Sequence, residues 1–235
     1  MTDLTPPKAL IFDWDDTITH NWWRVVQSIN KTLSALGREE WTEEEALGRI
    51  GPSGRDLFLD LFGEDGVEEA ETLYNGFIRE LHQEIPNVLP GAVESIRALS
   101  SLPLFLGVLS NKRGHALQDE VAKLDLHDCF GQVIGAGDAL ADKPNRLALE
   151  KALTGSGLEP GPDIWFVGDS YIDMQCAYYS DCTAILIETK LPPAHLLEET
   201  PPHMRFSSCA DLTSHVFKHF FNDFDLPLLR TQCTS

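Results

Sequence analysis

Short apolar runs and helical patterns alternate along most of this chain. An apolar run of about four to eight residues is typical of a strand that is buried on both faces. Such runs predict strands at residues 9–12, 104–109, 132–135, 164–167 and 184–187. Apolar residues at helical spacing predict helices at residues 91–99, 116–124, 147–153, 174–179 and 209–221. Strands that alternate with helices are typical of an α/β protein with a doubly wound parallel sheet, which binds ligands at the carboxyl ends of its strands.

The region from about Thr19 to Pro90 interrupts this alternation. It contains no convincing strand, and its apolar residues recur at helical spacing instead, as they do in residues 25–36. A structureless connection of this length is improbable in a compact domain. We therefore predict a core domain of residues 1–18 and 88–235 and an inserted α-helical subdomain of residues 19–87.

Two segments near the C-terminus lack a regular pattern. Residues 188–207 are rich in proline and polar residues, which predicts a loop. Residues 222–235 are expected to form a poorly ordered tail. Neither segment contributes a predicted strand to the sheet.

Charge and composition narrow the class of protein. The formal net charge of −19 argues against nucleic-acid and anionic-membrane partners, because both require an electropositive surface. The chain has no signal-peptide pattern and no apolar run near the ~18 residues of a membrane span. Its five cysteines form no CxxC pair, which argues against a zinc site or a disulfide framework. We expect a soluble, cytoplasmic protein that is a monomer or a homodimer.

Four polar blocks follow the predicted strands, or stand where a loop at the end of a strand would fall. They are FDWDDT at 12–17, LSNK at 109–112, ADKPN at 141–145 and GDSYID at 168–173. Because the carboxyl ends of parallel strands lie at one edge of a sheet, we expect these blocks to converge. Carboxylates, a hydroxyl and a lysine at one edge are the components of a Mg²⁺-dependent phosphoryl-transfer site.

The carboxylates suggest both chemistry and metal binding. Of Asp13 and Asp15, one can attack phosphorus to form an aspartyl-phosphate, and the other can protonate the leaving oxygen and then deprotonate the attacking water. Asp169 and Asp173 stand four residues apart, so they would share a face if a helix begins there, and their hard oxygens suit Mg²⁺. The alternatives are a solvated turn for the first pair, and a helix N-cap with a first-turn acid for the second.

The second and third blocks suggest a phosphate-binding region. Ser110 follows the end of a predicted strand, and we expect both Ser110 and its neighbour Asn111 to bind substrate. The Ser110 hydroxyl and nearby backbone N–H groups could hold a phosphate. Ser110 could instead be a plain helix N-cap. Lys143 precedes Pro144, a residue suited to the first turn of a helix, and the lysine could neutralise the phosphate and the nucleophile.

In the order DxD, S/T, K and GDxxxD, the four blocks resemble the haloacid dehalogenase superfamily of phosphohydrolases, over roughly residues 8–212. The resemblance implies a Rossmann-like core with a helical cap inserted after the first strand, and a Mg²⁺ cofactor. It implies that Asp13 is the nucleophile and a metal ligand. It also implies that Asp15 is the acid/base and supplies a backbone carbonyl to the metal.

The same resemblance assigns the remaining motif residues. It implies that Ser110 and Lys143 bind the transferring phosphoryl group. It implies that Asp169 ligates Mg²⁺ and that Asp173 supports the metal site. The second aspartate of the first motif points to a phosphatase or phosphomutase, because dehalogenases lack it and transport ATPases usually carry threonine there.

Five further residues have open roles. The family usually has glycine at the position of Asp16 and often aspartate at that of His20, and both departures could alter the loop that couples cap closure to the site. Arg55, in a turn between predicted cap helices, could bind a substrate carboxylate or be a solvated surface residue. Trp22 and Trp23 could line the cleft between cap and core, or pack within the cap or its hinge.

We expect a Mg²⁺-dependent phosphatase that hydrolyses a small phosphorylated metabolite through an aspartyl-phosphate. Similarity to the phosphoglycolate phosphatase group makes 2-phosphoglycolate the leading substrate, ahead of sugar phosphates, nucleoside monophosphates and pyrophosphate. The alternatives are a β-phosphoglucomutase-like mutase and a non-catalytic binding protein on the same scaffold. A large insert argues against a protein phosphatase, because a cap restricts access to small substrates.

Overall fold

The chain separates into two compact units. The computed structural model describes residues 4–49, 54–82, 86–189 and 192–224. One unit comprises Met1–His20 and Asn87–Ser235, and the other comprises Asn21–Pro86. The strands are β1 (Ala9–Phe12), β2 (Phe105–Arg113), β3 (Gln132–Ala136), β4 (Ile164–Gly168), β5 (Thr183–Ile187) and β6 (Met204–Phe206). The α-helices are α1 (Asn21–Ala35), α2 (Glu43–Arg49), α3 (Gly54–His82), α4 (Ala92–Leu99), α5 (Gly114–Lys123), α6 (Arg146–Ala152), α7 (Tyr171–Tyr179) and α8 (Cys209–Phe220).

The larger unit is built on a six-stranded sheet in the order β3-β2-β1-β4-β5-β6. Every adjacent pair of strands is parallel. The chain first extends the sheet from β1 to β2 and β3, and then returns to the other side of β1 with β4. This reversal at β1 is the place where doubly wound sheets bind ligands. The prediction of an α/β, Rossmann-like, doubly wound parallel sheet is confirmed.

Helices cover both faces of this sheet. Successive residues of β1 point to opposite faces: Leu10 and Phe12 join an apolar cluster with α4, α5 and α8, whereas Ala9 and Ile11 join a second cluster with α6 and α7. All four residues are completely buried. A strand covered on both faces needs apolar residues at every position, which explains the continuous apolar run in the sequence.

Two sequence-based assignments in this unit were wrong. Residues 188–207 contain β6, which was predicted as loop; this edge strand has only three residues, with a charged Arg205 in the middle, so it leaves no periodic pattern. Strand β2 does not end at Leu109 but continues to Arg113, and its pairing with β3 shifts register between these two residues. Of the predicted tail, residues 225–235 lie outside the described part of the chain.

The smaller unit is helical. Helix α1 packs against α3 around a buried apolar cluster that includes Ile29, Leu33 and Phe58. Helix α3 is interrupted at Gly63, which has a φ of 69° and therefore adopts a conformation that favours glycine. Within the residues that the structure describes, no helix combines the length and the apolar character needed to cross a membrane.

Candidate active site

Three neighbouring strands deliver the first side chains of the site. Phe12 of β1 is in register with Val108 of β2 on one side and with Val167 of β4 on the other. The backbone N–H of Asp13 donates a hydrogen bond of 2.8 Å to the carbonyl of Val167, which continues the ladder one residue past β1. Asp13 therefore stands beside the end of β4, where Asp169 follows.

Asp13, Asp169 and Asp173 form a buried carboxylate cluster. Each offers an oxygen atom, and these three atoms lie within 4.8 Å of one another. Helix α7 begins only at Tyr171, so Asp169 precedes the helix, and the condition under which it would share a helical face with Asp173 is not met. The turn between β4 and α7 brings the two together instead.

A capping box fixes the carboxylate of Asp173. Ser170 is the N-cap of α7, and its hydroxyl accepts a hydrogen bond from the backbone N–H of Asp173. In return, Oδ2 of Asp173 accepts from the backbone N–H of Ser170 at 3.0 Å and from its hydroxyl at 2.6 Å. A Cβ on Gly168 would collide with this carboxylate, so glycine is required there by close approach.

Lys143 is the cation at the centre of the cluster. Its Nζ donates to Oδ1 of Asp13 at 2.6 Å and to Oδ1 of Asp173 at 2.7 Å. Burial alone would lower the pKa of Lys143, but these two carboxylates raise it above its ordinary value, so the ammonium stays charged. Pro144 does not lie in the first turn of a helix as predicted, because α6 begins at Arg146 and Asn145 is its N-cap.

The negative charge of the cluster exceeds what Lys143 offsets. Burial raises the pKa of Asp13 to about 7; Lys143 opposes this rise, whereas the carboxylates of Asp173 and Asp15 add to it. A second positive charge at this place would therefore stabilise the ionised form of Asp13. Buried carboxylate oxygens with an excess of negative charge are the donor set that suits Mg²⁺.

The side-chain amide of Asn111 forms hydrogen bonds with the backbone of Lys143. Its Nδ2 donates to the carbonyl of Lys143 at 3.1 Å, and its Oδ1 accepts from the backbone N–H of Lys143 at 3.0 Å. Both ends of the side-chain amide are thus engaged within the protein. Asn111 was predicted to bind substrate. In the structure its amide instead bonds the backbone of Lys143, a residue that was also predicted to bind substrate.

Ser110 lies within the irregular part of β2. It is not a helix N-cap, because Arg113 occupies that position for α5. Its hydroxyl accepts a hydrogen bond of 3.3 Å from the backbone N–H of Lys112, and the side chain is buried. It lines a cleft of about 390 Å³ together with Asp13, Asp15, Asp16, Asn111, Lys112, Lys143, Asp169, Ser170 and Ile172. The structure thus brings all four motifs predicted from the sequence to one cleft.

Asp15 stands at the same cleft but outside the carboxylate cluster. Its Oδ1 accepts from Nζ of Lys112 at 2.6 Å and from the hydroxyl of Thr19 at 3.4 Å. Burial raises the pKa of Asp15, against the opposing charge of Lys112. A carboxyl group that is half-buried and hydrogen-bonded in this way is suited to proton transfer more than to metal binding by its side chain.

Lys112 belongs to a network that the sequence-based site did not include. Its Nζ also donates to Oε2 of Glu120 at 2.7 Å, and the indole N–H of Trp14 donates to the same oxygen at 2.6 Å. A signal was present in the sequence, since Glu120 occupies a position on α5 between the buried Leu117 and Val121. A carboxylate on the apolar face of a helix requires a partner.

Asp16 has a left-handed backbone. Its φ is 61°, in the region that glycine adopts without steric penalty, and its carbonyl accepts a hydrogen bond of 2.6 Å from the hydroxyl of Thr189. This conformation accounts for the glycine that is usual in the resembling family. Aspartate tolerates the left-handed region better than most residues do.

Three further residues, His20, Trp22 and Trp23, are described within their own units. The backbone N–H of His20 donates to the carbonyl of Asn87, at the end of the larger unit. Trp22 packs against the apolar cluster of the smaller unit, whereas Trp23 is 37% exposed. The side chain of Arg55 lies outside what the structure describes, so its substrate contact stays a prediction.

Known proteins share both the sequence pattern and the fold. A family model described as haloacid dehalogenase-like hydrolase matches residues 10–187. The pyrophosphatase PpaX of Bacillus cereus (strain AH820) is 25% identical over 205 residues, which cover 87% of this chain and 94% of that protein.

Two crystal structures illustrate the likeness in fold. A protein from Haemophilus somnus 129PT, predicted to be a phosphoglycolate phosphatase, superposes with a TM-score of 0.74 at 22% identity and covers 90% of this chain and 98% of its own. A haloacid dehalogenase-like family hydrolase from Streptococcus pneumoniae gives a TM-score of 0.73 at 20% identity, with 90% and 99% coverage. At these identities the likeness is one of fold alone.

Proposed function

Since this chain belongs to the haloacid dehalogenase-like hydrolases, we propose that it is a Mg²⁺-dependent phosphatase that hydrolyses a small phosphomonoester through an aspartyl-phosphate on Asp13. The observation that carries the proposal is the placement of Asp13. Its carboxylate is 2.6 Å from the ammonium of Lys143 and shares one cleft with Asp15 and Ser110. The proposed nucleophile, proton donor and phosphate-binding groups thus line the same cleft.

The first half of the reaction transfers the phosphoryl group to the enzyme. A carboxylate oxygen of Asp13 attacks phosphorus and forms a P–O bond, while the bond from phosphorus to the leaving oxygen breaks. Asp15 donates its proton to that oxygen, so the product leaves as a neutral alcohol. Ser110 and Lys143 hold the equatorial oxygens of the phosphoryl group, whose charge the ammonium offsets.

The second half returns the enzyme to its starting state. The ionised Asp15 accepts a proton from a water molecule, whose oxygen attacks phosphorus and displaces the carboxylate of Asp13. Inorganic phosphate leaves, and Asp15 again carries the proton that it needs for the next substrate. A mutase would require the aspartyl-phosphate to survive without water, which no described contact of Asp15 favours.

The carboxylate cluster fits a Mg²⁺ ion. We propose that Asp13, Asp169 and the backbone carbonyl of Asp15 bind it, with Asp173 in support. Both oxygens of Asp173 already accept hydrogen bonds from Lys143 and Ser170, which suits an indirect role. When bound, the ion supplies charge stabilisation to the phosphoryl oxygens and to the neighbouring carboxylates.

The substrate that we propose first is 2-phosphoglycolate, on the strength of the sequence resemblance. The helical unit of residues 21–86 is the proposed cap, and Arg55 is the proposed partner for the substrate carboxylate. A second candidate is pyrophosphate. It is suggested by the relative PpaX, which is named a pyrophosphatase and aligns with 87% of this chain and 94% of its own. Both are small, strongly anionic compounds whose hydrolysis releases inorganic phosphate, so one phosphate-release assay compares them.

The test is phosphate release from a panel that includes 2-phosphoglycolate, glucose 1-phosphate and pyrophosphate, with Mg²⁺ and with chelator. The proposal requires Mg²⁺-dependent release from at least one of them, abolished by Asp13→Asn. Asp181→Asn, which removes an exposed aspartate far along the chain, serves as the matched control and should keep full activity. Release that persists with chelator, or in Asp13→Asn, would overturn the proposal.

A further inference from the structure

Lys112 links the proposed acid/base to a buried acid on a neighbouring helix. Its Nζ lies 2.6 Å from Oδ1 of Asp15 and 2.7 Å from Oε2 of Glu120. Only 11% of its side chain is exposed, and the side chain of Glu120 is completely buried. The ammonium is therefore held between two carboxylates, at the point where the cleft meets the protein interior.

Glu120 is anchored on its other side by the chain segment of the nucleophile. The indole N–H of Trp14, which stands between Asp13 and Asp15 in sequence, donates to Oε2 of Glu120 at 2.6 Å. Trp14 is itself completely buried. One oxygen of Glu120 thus accepts from both Lys112 and Trp14, so the side chain of Trp14 directly, and that of Asp15 through Lys112, are connected to the same point on α5.

Packing gives no reason for a carboxylate at this position. Leu117 and Val121 flank Glu120 on the buried face of α5, and an apolar residue there would join the same cluster. A buried carboxylate is costly unless it is paired and hydrogen-bonded. The network therefore points to a requirement outside the packing of the fold.

We propose that Lys112 and Glu120 are positioning residues that hold the carboxyl group of Asp15 where it can donate its proton to the leaving oxygen. The inference rests on the proposed function, because it assigns these residues to the proton-transfer step of that reaction. A proton donor must lie within hydrogen-bond reach of the oxygen that it protonates. Lys112 contacts only one oxygen of Asp15 among the contacts described, so the carboxyl group keeps a second oxygen for the proton.

The proposal predicts a dependence on the leaving group. An alkyl oxygen is a poor leaving group unless it is protonated, so a displaced Asp15 would slow the hydrolysis of 2-phosphoglycolate severely. Acetyl phosphate releases acetate, which leaves readily without a proton. Loss of the network should therefore affect the two substrates unequally, whereas general damage to the site or to phosphate binding should affect them alike.

The experiment compares kcat/KM, which covers the steps up to formation of the aspartyl-phosphate, for 2-phosphoglycolate and acetyl phosphate in the wild type, Lys112→Met and Glu120→Gln, all with Mg²⁺. Should the panel select another alkyl phosphate, glycerol 2-phosphate or glucose 6-phosphate replaces 2-phosphoglycolate. Lys123→Met is the control, since it removes a more exposed lysine from α5, the helix that carries Glu120. We expect Lys112→Met to lower kcat/KM for the alkyl phosphate by about 100-fold, in the range of a lost general acid. For acetyl phosphate, whose leaving group needs no proton, the loss in kcat/KM should stay below about tenfold.

Equal losses on both substrates, or no loss, would overturn the inference. Glu120→Gln keeps the size of the side chain and an oxygen acceptor, so it tests the network if Lys112→Met does not fold. Its loss on the alkyl phosphate should again exceed its loss on acetyl phosphate, by a smaller factor than in Lys112→Met. Thermal unfolding of each variant checks the fold. A wild type that releases phosphate from no member of the panel with Mg²⁺ would overturn the proposed function as well, whereas an active wild type with equal losses overturns the positioning role alone.

Discussion

The side-chain amide of Asn111 forms hydrogen bonds with the backbone N–H of Lys143 at 3.0 Å and with its backbone carbonyl at 3.1 Å. The two residues lie 32 positions apart in sequence, on β2 and on the loop before α6. This pair of bonds sets where the lysine side chain begins, and the carboxylates of Asp13 and Asp173 set where it ends. The ammonium is therefore fixed at both ends of its flexible stem.

Removing the two hydrogen bonds between Asn111 and Lys143 should impair turnover more than folding. We expect Asn111→Leu to lower kcat about tenfold or more, because Lys143 then loses the backbone restraint that places its ammonium beside Asp13. Steady-state kinetics on the best substrate of the panel provide the measurement. Asn145→Ala is the matched control, because Asn145 is the N-cap of α6 and lies two residues after Lys143. Its loss should cost about 1 kcal/mol of stability but leave the contacts of Lys143 in place. Equal kinetic effects of the two variants would contradict the assigned role.

The protonation of Asp13 should make the stability of the metal-free protein depend on pH. Burial raises its pKa from the ordinary 3.8 to about 7, so between these values the folded protein holds a proton that the unfolded chain has released. Because the folded state then binds more protons, this residue's contribution to the free energy of unfolding falls as pH rises through the range. With chelator, Asp13→Asn should therefore gain stability relative to the wild type as pH rises from about 4 to about 7.

Denaturant unfolding of both proteins at several pH values measures this difference. Because the two proteins share every other titrating group, the change in their difference with pH reports the ionisation of Asp13 together with its coupling to Lys143, Asp173 and Asp15. A difference that stays constant with pH would show that Asp13 ionises normally in the folded protein. A difference that changes in the opposite direction would show that Lys143 outweighs burial.

Mg²⁺ should stabilise the folded protein through the carboxylate cluster. A ligand that binds only the folded state raises its melting temperature, and the cluster of Asp13, Asp169 and Asp173 exists only when the chain is folded. We expect Mg²⁺ to raise the Tm of the wild type and of the control Asp163→Asn, which removes a surface ion pair with Lys8. Asp169→Asn should lose most of the rise, and thermal scans across a Mg²⁺ titration check it. An undiminished rise in Asp169→Asn would place the ion elsewhere.

The left-handed backbone of Asp16 should favour glycine. Alanine at a φ of 61° carries a steric penalty of about 1–2 kcal/mol that glycine avoids. We therefore expect Asp16→Gly to be more stable than Asp16→Ala by about that amount in urea unfolding. The same two substitutions at Asp119, inside α5, should give the opposite order, because glycine is unfavourable in a helix by about 1 kcal/mol. The same order at both positions would contradict the backbone assignment.

The sequence was most informative where the environment in the fold accepts only one class of residue. The apolar runs at residues 9–12 and 164–167 lie at β1 and β4 because a strand covered on both faces has no polar position. Since parallel strands end at one edge, the motifs that follow them meet, and Asp13 and Asp169 lie side by side as expected.

Contacts between distant parts of the chain could not be predicted in the same way. The Asn111–Lys143 pair and the Lys112–Glu120 pair depend on how β2, α5 and the loop before α6 approach one another, which no local pattern encodes. The bulged end of β2 has a similar cause, since a register shift appears only when β3 is paired beside it. The short edge strand β6 was missed because three residues are too few to display a period.

Trapping the covalent intermediate tests the central claim most directly. The enzyme is mixed with excess substrate and Mg²⁺, quenched in acid within the turnover time, and treated with borohydride, which reduces an aspartyl-phosphate to homoserine. Mass spectrometry of the peptides then locates the modified residue. The account predicts homoserine at position 13 in the wild type and none in Asp13→Asn or in the absence of substrate. Active turnover with no modification at Asp13, or with modification at another aspartate, would contradict it.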